Sequence, residues 1–175
     1  MKRITTREIA AYALMLSMIL ALAIVEGLLP PLPMHMRFGL SNAVTMYALF
    51  FVGRRPAFML AAMKSAFVFM MRGPIAGLLS LCGGVSSLSL IAALAIAMPG
   101  ASYFTLSIAG ALAHNIAQLA VASLLVSTNL LPVYLPVMIA SGIPAGSLTA
   151  ILLRAVMPVL KGVRGEKAEA PKTCP

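Results

Sequence analysis

Six apolar runs, parted by proline, glycine and arginine, take up most of this sequence, and they constrain its fold more than any other feature. They cover roughly residues 8–29, 39–53, 57–71, 74–98, 104–128 and 132–158. A bilayer core takes about 20 residues of helix, within a range of about 17–25. Four runs meet that length, whereas the second and third are short. These two are expected to tilt, to thin the bilayer or to shelter among their neighbours, with a re-entrant hairpin as the alternative. Composition leaves little room for an aqueous fold. The chain is 61% hydrophobic and 10% charged, against about 45–50% and about 25% in soluble domains, and its mean hydropathy is +1.01. A folded chain of this length keeps much of its surface in contact with solvent, so the solvent here is lipid. The expectation is an all-α membrane protein of six transmembrane helices, forming one domain over residues 1–160. A basic tail over 161–175 has nothing to pack against and is expected to be disordered.

The net charge of +9 is distributed unevenly. Lys2, Arg3 and Arg7 precede the first run, Arg54 and Arg55 separate the second from the third, and Lys161, Arg164, Lys167 and Lys172 follow the last. With the N-terminus inside, all of these collect on one side and leave Arg37 and Arg72 on the other. The positive-inside rule then puts both termini in the cytoplasm and the protein, as a multi-pass chain, in the cell (cytoplasmic) membrane. No aromatic residues interleave with the basic ones, which argues against nucleic acid as a partner. Cys82 lies in an apolar run and Cys174 in the tail, so neither a disulfide framework nor a zinc spacing emerges. The first run reaches Glu26 without a small-x-small cleavage pattern, so no signal peptide is expected. The segment Pro30–Phe38 is too rich in proline for helix and should run extended across the outer face. No internal repeat of the transporter type is visible.

The acidic residues limit the chemistry. The chain has no aspartate, and of its glutamates Glu8 stands at the entrance to the first helix while Glu166 and Glu169 lie in the tail. Glu26 is left as the acid within the membrane. Two-carboxylate hydrolysis, magnesium-dependent phosphoryl chemistry and an acid-oriented serine triad all lack their parts. No catalytic residue, metal site or cofactor is assigned.

Polar residues in apolar runs are expensive and need a partner or a ligand. His114, Asn115 and Gln118 occupy the middle of the fifth run. His114 and Gln118, four apart, share a helix face, and Asn115 lies about 100° round. The trio is either a wall of a ligand cavity or a set of interhelical hydrogen bonds. A metal role is weaker, because no second histidine or carboxylate stands at ligand spacing. Lys64 falls at mid-helix, the costliest depth for a cation. It must be neutralised by Glu26, hydrated in a cavity or paired with an anion. Arg37 and Arg72 reach the outer side, and Gly73-Pro74 after Arg72 marks a helix start, whose free amides favour anions. Headgroup anchoring explains either arginine equally well. Ser80, Gly83, Gly84, Ser86, Ser87 and Ser89 make the fourth run a close-packing helix, with Ser80 the best placed for ligand contact. Ala13, Ser17 and Ala21, spaced by four, form a small-residue ridge suited to packing or to docking a partner.

In sequence order, Glu26, Gly39-Leu-Ser-Asn42, Ser80-Leu-Cys-Gly83-Gly84-Val-Ser86-Ser87, Gly110-Ala-Leu-Ala-His114-Asn115-Ile-Ala-Gln118 and Tyr134-Leu-Pro136 resemble the Gx transporter family, also named heptaprenyl diphosphate synthase component I. The resemblance covers roughly residues 10–157. That family is in turn similar to the S components of energy-coupling-factor importers, six-helix proteins that capture a small molecule from outside and dock on a transmembrane T subunit driven by ATPases. The resemblance implies an S-component-like bundle whose ligand site draws on Glu26, Arg37, Asn42, Lys64, Arg72, Ser80, His114, Asn115 and Gln118, and whose Ala13/Ser17/Ala21 ridge meets the T subunit. Prenyl synthases resemble one another in aspartate-rich magnesium-binding motifs, and this chain cannot supply one. The leading expectation is a non-catalytic subunit that binds a small anionic or amphipathic molecule. The alternatives are a membrane accessory of a soluble prenyl synthase, or a subunit of a redox or flavin-handling complex.

Overall fold

The computed structural model describes residues 6–28, 39–126 and 131–164, and these are almost wholly helical, without strands. The helices are α1 (Thr6–Leu28), α2 (Asn42–Tyr47, winding on through a π-helical stretch, Ala48–Val52), α3 (Arg54–Arg72), α4 (Pro74–Ala97), α5 (Tyr103–Val126) and α6 (Leu131–Arg164). Four of them, α1, α4, α5 and α6, are long and apolar enough to cross a membrane, the signature of a multi-pass membrane protein. The α2 segment with its π turn is a shorter apolar helix. At 19 residues α3 is long enough for a tight span, but it carries Arg54, Arg55, Lys64 and Arg72. The expected loop at Pro30–Phe38 lies outside the described residues.

The connections explain two boundaries. Gly53, at φ +135°, is all that separates the π-helical stretch from α3, and Gly73, at φ +90°, is all that separates α3 from α4. Side chains rarely adopt such backbone angles, so glycine makes both turns without strain. α3 begins at Arg54 rather than at the expected residue 57, because Pro56 falls in its first turn, where the missing N–H has no intrahelical partner to lose. Pro74 opens α4 for the same reason. α6 contains Pro136, Pro144 and Pro158 and continues to Arg164, into the segment expected to be tail. Proline is tolerated in membrane helices where hydroxyls and neighbouring helices bond the carbonyls around it. Here Ser147 and Thr149 donate to the carbonyls of Ile143 and Ala145, and Ser107 of α5 donates to that of Gly146.

Contacts between named residues give the order of packing. Ser65 meets Ser80 between α3 and α4, Gln118 meets Leu79 between α5 and α4, and Asn115 meets Met138 between α5 and α6. All three pairs run antiparallel, as short connections require. Glycines set the close approach. A Cβ on Gly83 would stand 2.8 Å from the His114 ring, and one on Gly146 would stand 2.5 Å from the Ile108 backbone. α1 turns Ala11, Met15, Ile19 and Ala23 inward.

The apolar core occupies one half of the bundle. Met15, Ile19, Val44, Met46, Tyr47, Leu60, Leu88, Ile91, Leu153 and Leu160 pack together towards the end that holds the starts of α1, α3 and α5. The opposite half, where α1 and α3 end and α2 and α4 begin, holds the smaller and more polar side chains. That half is hollow.

Candidate functional site

The hollow is a cavity of about 470 Å³, within the about 300–1,000 Å³ range of small-molecule sites. Glu26, Lys64, Arg72, Ser80, His114 and Gln118 line it, together with apolar or small residues such as Ala23, Val68, Ala76 and Leu79. Six residues expected from the sequence to contact a ligand, drawn from four helices, thus face one space. Asn42 does not line it but accepts a hydrogen bond from Lys64. Asn115 faces elsewhere, and Arg37 lies outside the described residues.

Glu26 is fixed by the start of the next helical segment. One carboxylate oxygen accepts the Leu40 amide hydrogen and the other accepts the Ser41 hydroxyl at 3.2 Å. These bonds tie the end of α1 to the turn that opens α2, made by Gly39 at φ +67°. Both oxygens are therefore engaged, and Glu26 acts on Lys64 only as a nearby negative charge.

Lys64 is 7% exposed. Its ammonium donates to Asn42 Oδ1 at 2.7 Å. An ammonium has three hydrogens to place, and this is its one hydrogen bond among the described residues. The side chain also lines the cavity. Arg72 donates from Nη2 to the Ala23 carbonyl at 3.0 Å, bridging the far ends of α3 and α1. Its guanidinium lies where a side chain on residue 27 would be, so Gly27 leaves the room it needs. Among the described residues, two basic side chains and one carboxylic side chain line the cavity.

The trio on α5 divides. His114 and Gln118 face the cavity, and Gln118 Nε2 donates to the Leu79 carbonyl at 3.4 Å. His114 is 8% exposed, and its Nδ1 is buried with no well-formed hydrogen bond among the described residues. The Gly83 carbonyl stands beside the ring as a backbone hydrogen-bond partner of loose geometry. Asn115 instead points at α6, where its amide donates to the Met138 carbonyl at 3.5 Å. It borders a separate, much smaller space of about 20 Å³, which it shares with Asn42, His114 and Thr149. His114 and Gln118 thus line the cavity, while Gln118 and Asn115 both hydrogen-bond a neighbouring helix.

Ser80, 8% exposed, lines the cavity and meets the Ser65 hydroxyl at 3.3 Å. Ala13, Ser17 and Ala21 all lie exposed on α1, on the face away from the bundle. Among the described residues no three potential metal ligands cluster. Ser41, Gly27 and the backbone of Leu40 were not expected at the site. The Gly39-Leu-Ser-Asn42 element carried the signal for Ser41 and Leu40, whereas nothing local distinguishes Gly27 from any other glycine at a helix end.

The family model described as heptaprenyl diphosphate synthase component I matches residues 15–156, which include every described residue of the cavity. No curated protein and no solved structure matches the chain. By the extent of that match, this chain belongs to the heptaprenyl diphosphate synthase component I family.

Proposed function

We propose that the protein is a non-catalytic membrane subunit that captures a small anionic or amphipathic molecule in the cavity between α1, α3, α4 and α5. One observation carries this reading. Lys64, a buried cation with a single hydrogen bond among the described residues, shares a ligand-sized cavity with Arg72 and with the buried ring of His114. Burying a cation deep in a bundle is costly unless something pairs with it. In this reading Lys64 and Arg72 meet the anion, His114, Gln118 and Ser80 give polar recognition, Asn42 and Glu26 hold the frame, and Arg37 adds charge at the outer side. All six helices cross the membrane, with both termini in the cytoplasm, so the cavity opens outward. Ala13, Ser17 and Ala21 dock a partner, as an S component docks on its T subunit. No P-loop stands in the sequence, so energy for transport comes from such a partner.

The test is ligand retention. Protein purified in mild detergent should keep a co-purified anion in native mass spectrometry, and Lys64→Gln should lose it while remaining folded. If the wild-type protein carries nothing, and no anion in a panel of phosphates and carboxylates raises its melting temperature, the reading fails.

The family supports a second reading. Its name implies a further synthase component, and under this reading the protein is the membrane accessory of a soluble prenyl synthase. It calls for co-purification with an aspartate-rich synthase and for altered prenyl products on deletion. Unchanged prenyl-chain length in a deletion strain would count decisively against it.

A further inference from the structure

The cavity does not end at Arg72. A second hollow of about 170 Å³ lies beside it, bordered by Ile24, Leu28, Phe67 and Met71 as well as by Ala23, Val68 and Arg72. Ala23, Val68 and Arg72 border both spaces. The two differ in character. The larger holds Glu26, Lys64, His114 and Gln118, whereas apart from Arg72 the smaller is walled by hydrocarbon and the thioether of Met71. Ile24, Leu28 and Met71 are strongly exposed, so this second hollow is a seam between α1 and α3 that opens sideways through the wall of the bundle. Arg72 stands at the junction, its guanidinium hydrogen-bonded across the seam to Ala23.

A free water-soluble anion has no use for a lateral apolar opening next to its binding cation. A molecule with one anionic end and one apolar chain uses both spaces. Resting on the ligand-binding reading above, we infer that the ligand is such an amphiphile. Its head lies between Lys64 and Arg72, and its chain leaves between α1 and α3 along Val68, Phe67 and Met71 into the surrounding lipid. The chain is held by burial against apolar surface, which is roughly proportional to the area covered. The head is held by charge and by hydrogen bonds inside a space of low dielectric. The α1–α3 seam thereby sets specificity for chain-bearing anions over the bare anion.

Dodecyl phosphate with a diazirine at its chain end, unlabelled dodecyl phosphate and inorganic phosphate are suitable probes for the full chain in phosphatidylcholine nanodiscs. The structure calls for at least tenfold tighter binding of dodecyl phosphate than of inorganic phosphate. Photo-adducts should fall on residues 24–28 of α1 and 67–71 of α3, and excess unlabelled dodecyl phosphate should remove them. Lys64→Gln should abolish these competable adducts. Ile24→Trp, on the exposed edge of the seam, should bring dodecyl phosphate down towards the affinity of inorganic phosphate and leave the latter unchanged. Wild-type adduct mapping gives an answer even where a variant folds poorly. Equal affinities for the two phosphates, or adducts spread over all lipid-facing residues without competition, overturn the seam and leave the anion site standing. Failure of both phosphates to bind overturns both. Phosphatidic acid added to the discs identifies the source. Competition marks the bilayer and its absence marks a single-chain molecule, and either outcome supports a chain-bearing anion.

Discussion

Lys64 on α3 and Asn42 at the start of α2 are joined by a 2.7 Å hydrogen bond, and it is the only hydrogen bond of this buried ammonium among the described residues. The pair separates two roles that a buried lysine can have. If Lys64 serves packing, replacing it by an apolar residue of similar length is harmful. If it serves a ligand, the same replacement removes a desolvation cost. Lys64→Met is therefore expected to melt at or above the wild-type temperature and to lose anion retention. Asn42→Ala leaves the cation without its partner and should cost about 1–3 kcal/mol. In the Lys64→Met background that cost should largely vanish, which a double-mutant cycle measures directly.

Glu26 is expected to separate capping from charge. Glu26→Gln keeps an acceptor for the Leu40 amide but removes the cavity's negative charge, so anion affinity should rise. Glu26→Ala loses both bonds to the start of α2, at a cost of about 0.5–2 kcal/mol. Calorimetric titration with inorganic phosphate, alongside thermal unfolding, distinguishes the two. Equal or weaker affinity in Glu26→Gln would show that the carboxylate contacts the ligand.

Gly27→Ala places a methyl group against the Arg72 guanidinium. Arg72 must then leave the Ala23 carbonyl. The expected outcome is a drop of about tenfold in anion affinity, corresponding to about 1.4 kcal/mol, with little change in melting temperature because both residues lie at helix ends. Arg72→Gln should reproduce the loss, and Gly27→Ala should add little to it.

The glycines between helices make a graded series. Gly146→Ala meets the Ile108 backbone, which cannot rotate away, and Gly83→Ala meets the His114 ring at 2.8 Å. Overpacking of this kind costs about 1–3 kcal/mol. Gly100, in the turn between α4 and α5, borders open space, so that an added methyl group would meet nothing within 4 Å, and it serves as the control. Thermal melts should rank Gly146→Ala as the most damaging and Gly100→Ala as neutral.

Orientation is open to a chemical test. A membrane-impermeant maleimide should leave Cys174 unlabelled in intact cells and label it after permeabilisation. Labelling in intact cells would put the C-terminus outside and reverse the direction in which the cavity opens.

Several features were legible along the chain. Apolar runs of bilayer length, glycines and prolines between them and the scarcity of acids lead to an all-helical membrane protein, and the six helical segments fall within a few residues of their expected limits. The boundary differences have local causes: Pro56 fits into a first turn, and α6 continues past Pro158. The polar element on α5 and the Gly39–Asn42 element also stood out, because polar groups in apolar runs carry an energetic cost visible in one dimension.

The site itself belongs to three dimensions. Neither spacing nor composition separates His114 and Gln118, which face the cavity, from Asn115, which bonds to α6. That division follows from how α5 is rotated between α4 and α6, and close packing at Gly83 and Gly146 sets the rotation. Likewise Glu26, Lys64 and Arg72 are dispersed in sequence and meet only because α1 lies beside α3. Hydrophobic patterning specifies which segments are helical, since that depends on each segment's own transfer into lipid. Which side chains converge on a cavity depends on the pairing and rotation of whole helices, and these are decided by contacts between residues far apart in the chain.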